Sequence, residues 1–172
     1  MKKIKIFAIV FLITMFTSSL FGEENNITSK NLRMNVLDVT LLGSGLFTSI
    51  NYSRVITVKS KYFVMGSLGI GSVIMIGGVS VPHQITLNYG TGSNFLEIGL
   101  GGCYWQGKSN ASGYQDTISS YILTPIIGWR KNFQIGAVLR VYLSPLVSVD
   151  GGPAIENFPV FPYGGLSIGW GF

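Results

Sequence analysis

The chain has 172 residues, 47% of them hydrophobic, 13% aromatic and only 11% charged, with 23 glycines, one cysteine and one histidine. Soluble domains carry about 25% charged residues, yet beyond residue 22 no apolar run reaches the roughly 20 residues of a spanning helix. A single cysteine excludes an intramolecular disulfide framework and a cysteine-rich zinc site.

The opening MKKIKIFAIVFLITMFTSSLFG reads as a signal peptide over residues 1–22. Lys2, Lys3 and Lys5 form the basic region, Ile6 to Phe16 the apolar one, and Thr17, Ser18 and Ser19 begin the small, polar stretch before cleavage near Gly22. No cysteine lies directly behind the apolar run, which argues against a lipid-anchored product. Without the three N-terminal lysines, nine basic residues face seven acidic ones, a net charge of +2 in place of +5. The basic balance is largely a property of the leader, and no basic run marks a nucleic-acid patch. The remaining stretch of about 150 residues suits one domain, with 23–35 as a periplasmic lead-in and 36–172 as the folded unit.

Alternation of period two runs through that unit. Over 36–56, Leu37, Val39 and Leu41 share a face; after Gly43-Ser44-Gly45 the apolar face passes to Leu46, Ile50, Tyr52 and Ile56. That parity change predicts either a β-bulge or a tight turn joining two strands. Residues 61–72 set Tyr62, Val64, Leu68 and Ile70 against Ser67, Gly69 and Gly71, with Phe63 and Met65 weakening the contrast. Residues 79–89 set Val79, Val81, Ile85, Leu87 and Tyr89 against Ser80, Gln84, Thr86 and Asn88. In 94–105, Leu96, Ile98, Leu100 and Tyr104 oppose Phe95, Glu97, Gly99, Gly101, Cys103 and Trp105.

Residues 119–131 place Tyr121, Leu123, Ile127 and Trp129 against Ile122, Thr124, Gly128 and Arg130. Residues 132–144 place Phe133, Ile135, Ala137, Leu139, Val141 and Leu143 against Gln134, Gly136, Val138, Arg140 and Tyr142. The final stretch FPYGGLSIGWGF carries Leu166, Ile168, Trp170 and Phe172 on one register and only Gly165, Ser167, Gly169 and Gly171 on the other. Gly90–Ser93 and Lys131-Asn132 read as short turns, whereas 106–118 and 144–159 read as long polar loops.

One face of these segments is uninterruptedly apolar with aromatics near its ends; the other is rich in residues too small to fill a core. The apolar face is therefore expected to meet lipid and the polar face a lumen, with the aromatics as interfacial girdles. The fold class that follows is all-β, an antiparallel up-and-down transmembrane β-barrel. Two strands before residue 57 and six after it make eight, the even number such chains require. Short and long connections alternate, as they do between the periplasmic and external rims of such barrels.

Glu97, Arg130 and Arg140 fall on the inward register of consecutive strands, as does Asp38. They read as a charge network filling a narrow lumen, because an unpaired charge there is costly; an ion-selective constriction is the functional alternative. Cys103 reads as a small buried residue. His83 falls on the apolar register without a nucleophile motif such as G-x-S-x-G, so no catalytic residue, metal ligand or cofactor site is expected.

The last ten residues, with Phe172 at the end, Trp170 two before it and Ile168 and Leu166 alternating further back, resemble the C-terminal signature of bacterial outer-membrane barrels. That resemblance implies recognition by the barrel-assembly machinery. SINYSR, VPHQITLNYGTGSNFLEIGLGG, PIIGWRKN and YGGLSIGWGF are also similar in order and spacing to a group of small outer-membrane barrels of Bacteroidetes-like bacteria. The likeness implies a fold and a place in the outer membrane, and no activity. The function expected is structural or surface-interacting through the external loops, in a monomer whose partners are membrane lipid and the assembly machinery. A narrow pore or transporter and a lipid-modifying enzyme relying on His83 are the alternatives.

Overall fold

The computed structural model describes residues 32–73, 78–109, 116–150 and 160–172. The leader, residues 1–22, and most of the lead-in, 23–31, lie outside them. Hydrogen-bonded segments follow in chain order: β1 (Asn35–Leu42), β2 (Thr48–Val58), β3 (Tyr62–Val73), β4 (Gly78–Thr91), β5 (Asn94–Ser109), β6 (Asp116–Asn132), β7 (Ala137–Leu143), β8 (Leu146–Asp150), β9 (Val160–Phe161) and β10 (Gly164–Gly171). β8 continues β7 beyond Ser144-Pro145, and β9 leads into β10 across Pro162-Tyr163, so the ten segments make eight strands. Proline has no N–H for the ladder, which accounts for both interruptions.

All pairings are antiparallel, and the sheet closes: β1 bonds to β2 and β10, while β5 bonds to β4 and β6. A closed ring leaves no edge strand, the condition for a sheet in a medium without water. The start of β1, the end of β10 and the turns at 59–61, 92–93 and 133–136 share one rim, here the terminal rim; the ends of β1, β3, β5 and β8 share the far rim.

Three details differ from the sequence-based expectation. The β6–β7 turn is not Lys131-Asn132, which continue the ladder opposite Leu139 and Val138. Phe133–Gly136 makes the turn, closed by Phe133 N donating to Ala137 O at 2.8 Å and Gly136 N to Phe133 O at 3.0 Å. Gly136 supplies the required positive φ of 99°. Most of 106–118 is strand rather than loop, since β5 reaches Ser109 and β6 begins at Asp116. Likewise 146–150 of the expected 144–159 loop is strand β8.

The parity change near residue 45 is a turn, and it folds inward. Gly43–Gly45 form a single 3-10 turn, buried inside the far rim. Ser80 Oγ donates to Gly45 O at 2.9 Å and the Tyr163 hydroxyl donates to Leu46 O. A second irregularity, a bulge at Ile56, shifts the β2–β3 register between Val55 and Thr57.

Among the described residues, inward side chains crowd the lumen. Toward the terminal rim Leu32, Val36, Val55, Phe63, Met65, Phe95 and Val138 form an apolar cluster, with Phe63 and Phe95 edge to face at 4.9 Å between ring centres. Phe63 and Met65, which blur the alternation of β3, are thus inward residues of a small core.

Candidate functional site

The middle of the lumen holds the four charged residues singled out by the alternation. All are buried. Arg140 of β7 meets Glu97 of β5 in a two-pronged ion pair, Nε to Oε2 at 2.9 Å and Nη2 to Oε1 at 2.5 Å. With its amide oriented by the hydrogen-bond network, Gln84 Oε1 also accepts from Arg140 Nη2 at 2.9 Å and Nη1 at 3.2 Å. Arg140 further lies over the Tyr142 ring, 5.1 Å from its centre.

Asp38 and Arg130 are brought to the same level without forming an ion pair. Asp38 Oδ1 accepts from Ser167 Oγ at 2.8 Å, Asn51 Nδ2 at 3.0 Å and Thr40 Oγ1 at 3.0 Å; its Oδ2 accepts from Ser53 Oγ at 3.4 Å. These donors come from β1, β2 and β10, so a single carboxylate ties together three strands, across the seam where first meets last. Arg130 Nε donates to Asn132 Oδ1 at 2.9 Å, and its guanidinium lies 5.7 Å from the centre of the Phe63 ring. The lumen thus carries two acids and two arginines joined by one ion pair among the described residues.

Glycines on the inward register admit large neighbours. A Cβ at Gly128, Gly165 or Gly43 would fall within 3 Å of Tyr142 atoms. The Tyr142 side chain occupies the space those three residues leave, beside the inturned 43–45 turn. Gly69 makes room for Asn51, and Gly101 for Thr124, in the same way. Tyr142 is the residue the sequence reading passed over; its signal was its parity with Arg140, opposite the glycines of β6 and β10.

Cys103 is inward and buried. His83 faces outward, with Nε2 2.8 Å from the Tyr121 hydroxyl and Nδ1 3.4 Å from Val81 O. Among the described residues, neither a serine hydroxyl nor a carboxylate is one of its partners. Leu166, Ile168, Trp170 and Phe172 all stand exposed on the outer surface, continuous with Leu37, Val39 and Leu41 of β1 and Val141 and Leu143 of β7. No group of three or more potential metal ligands occurs among the described residues.

The N-terminal β-barrel domain of Pseudomonas aeruginosa OprF superposes on this chain with a TM-score of 0.56, covering 81% of this chain and 98% of that one at 12% identity. The chain has the closed eight-stranded fold of outer-membrane β-barrels. Ail, the attachment invasion locus protein of Yersinia pestis, is similar at a TM-score of 0.46 and 15% identity, over 80% of this chain and 91% of that one. No protein-family model and no curated protein matches the sequence.

Proposed function

We propose that this chain is a sealed barrel of the bacterial outer membrane, exported by its leader, with a structural or surface-interaction role borne by its external rim. The crowding of the lumen by the described inward side chains is the observation that carries the reading. From terminal rim to far rim it holds an apolar cluster, the Glu97–Arg140 pair, the Tyr142 ring and the inturned Gly43–Gly45 turn. An eight-stranded ring is just wide enough for side chains, and here bulky ones take the space.

The outer surface supports the membrane placement. Large apolar side chains of all eight strands stand in the open, a surface that would aggregate in water. Tyr62, Tyr89, Trp129 and Trp170 sit toward the terminal rim and Tyr104 and Tyr121 toward the far one, as interfacial girdles do. With the terminal rim periplasmic, the β5–β6 hairpin projects outward: its last rungs, Lys108 to Thr117 and Ser109 to Asp116, extend past the end of β4. That projection is the surface offered to partners, and the Leu166–Phe172 strand is the part offered to the assembly machinery.

Reconstitution in planar bilayers tests the sealed wall. The expected result is no resolved channel opening. Steady conductance that changes on Arg140→Ala would replace this reading with a narrow pore.

A further inference from the structure

The ionisable residues of the wall are sorted by rim. Among the described residues the acids all lie away from the terminal rim: Asp38 and Glu97 are buried in the lumen, and Asp116 and Asp150 stand at the far-rim ends of β6 and β8. The terminal rim carries Arg33, Arg54, Lys59, Lys61 and Lys131, the first four of them exposed. Arg140–Glu97 is the one salt bridge among the described residues, so none of these five cations has an acid partner there. The lead-in adds Glu23, Glu24 and Lys30 by sequence, which leaves the charge of this side positive.

The depth of these cations is as informative as their sign. Arg54 stands on the outward register of β2, opposite Asn35, which bonds in turn to Phe172. Its guanidinium therefore springs from the same rung as the terminal aromatic. Lys59 and Lys61 belong to the β2–β3 turn directly before Tyr62, with Lys59 N donating to Tyr62 O at 2.8 Å. Met34 O accepts from Val55 N at 2.8 Å and so sets Arg33 beside the end of β2. These four cations form an arc over the ends of three neighbouring strands. Lys131 stands apart on β6, two positions beyond Trp129, with its ammonium 5.2 Å from the centre of the Phe133 ring.

Aromatics of a spanning wall mark the interface with the headgroups. A long basic side chain at that level keeps its stem on the apolar wall and its charge among the headgroups. Four such charges without acid partners are complementary to headgroups that carry a phosphate and no cation of their own. We propose that the arc of Arg33, Arg54, Lys59 and Lys61 selects anionic phospholipids from the leaflet around the terminal rim, whose phosphate oxygens accept from the four side chains. The inference rests on the membrane placement proposed above.

The test is electron spin resonance of the mature chain in phosphatidylcholine vesicles, with a trace of spin-labelled phosphatidylglycerol or spin-labelled phosphatidylcholine and a boiled-against-unboiled gel on every sample. In low salt, phosphatidylglycerol should be preferred in the motionally restricted shell about two- to fivefold, the upper figure being the effect of one cation near an anionic surface. The preference should fall toward parity in roughly 1 M salt, where the screening length is about 3 Å. Arg33→Gln, Arg54→Gln, Lys59→Gln and Lys61→Gln combined should abolish it, and Lys108→Gln at the far rim should leave it intact. Equal uptake of the two lipids by the wild type, a preference that survives the fourfold variant, or one lost in Lys108→Gln would overturn the proposal. If the fourfold variant does not fold, a wild-type preference that salt leaves unchanged overturns it by itself. Saturable binding of a soluble acidic muropeptide, with no preference between the lipids, would assign the arc to the cell wall instead. A wild type lacking the heat-dependent gel shift, with the chain soluble in the periplasm, would overturn the barrel placement as well; a shift without lipid preference removes the arc's role alone.

Discussion

Arg140 and Glu97 sit in the wall's interior, both buried, and their charges are tolerable only because each has the other. Removing one partner from such a pair typically costs about 3–5 kcal/mol, whereas replacing both by apolar groups of similar volume is near neutral. Glu97→Gln should therefore lower stability by about that amount, and Glu97→Leu combined with Arg140→Met should recover most of it. Urea unfolding from lipid vesicles, followed by the fluorescence of Trp105, Trp129 and Trp170, measures the difference. A single variant as stable as wild type would show that the pair does not hold the lumen together. Alternation along each strand was enough to group Asp38, Glu97, Arg130 and Arg140 on one register. Which of them touch depends on the stagger between strands, which alternation within a strand does not encode. Hence the pair formed by Glu97 and Arg140, while Asp38 is satisfied by Ser167, Asn51, Thr40 and Ser53, had no signal in the sequence.

Between β1 and β2 the chain turns inward through an unusual path. Leu42 has φ 62° and ψ −152°, a region populated almost only by glycine, and Leu46 has φ 74° and ψ −68° with Phe47 N bonded to Gly45 O at 3.2 Å, a γ-turn of the strained hand. Such residues cost of order 1–3 kcal/mol each and persist because Ser80, Tyr163 and Tyr142 hold the turn from three sides. Gly43 is the tightest point, with a positive φ and no room for a Cβ beside Tyr142. Gly43→Val should expel the turn from the lumen. The expected readout is a lower unfolding midpoint together with new proteolytic cleavage between residues 42 and 48 in folded, vesicle-bound protein; unchanged resistance would mean the turn is not held there. The two strands on either side of this turn were legible from the parity change alone. Its inward direction was not, because Gly-Ser-Gly fits an external turn equally well, and burial here depends on Tyr142 and Ser80 far along the chain. The β6–β7 turn shows the same limit: Asn132 and Gly136 both carry turn chemistry, and the ladder to Ser93, whose carbonyl accepts from Asn132 N at 2.8 Å, decides between them.

For the molecule as a whole, closure depends on a seam between its first and last strands. β10 lies against β1 from Val36–Gly171 to Leu42–Gly165, and the final rung is made by the last residue: Asn35 N donates to Phe172 O at 3.1 Å and Phe172 N to Asn35 O at 2.9 Å. Phe172 therefore contributes twice, a backbone rung that shuts the seam and an exposed ring in line with Trp170 and Ile168. Two variants separate the contributions. Deleting Phe172 removes both, and outer-membrane yield should fall with degradation in the periplasm. Phe172→Ala keeps the rung and loses the ring. If the assembly machinery reads the aromatic, the alanine variant should be depleted nearly as far as the deletion, while purified protein of that variant still folds in detergent and shifts on boiling. A normal yield for Phe172→Ala beside a depleted deletion would assign the effect to the seam, and a normal yield for both would remove the terminal strand's role in assembly.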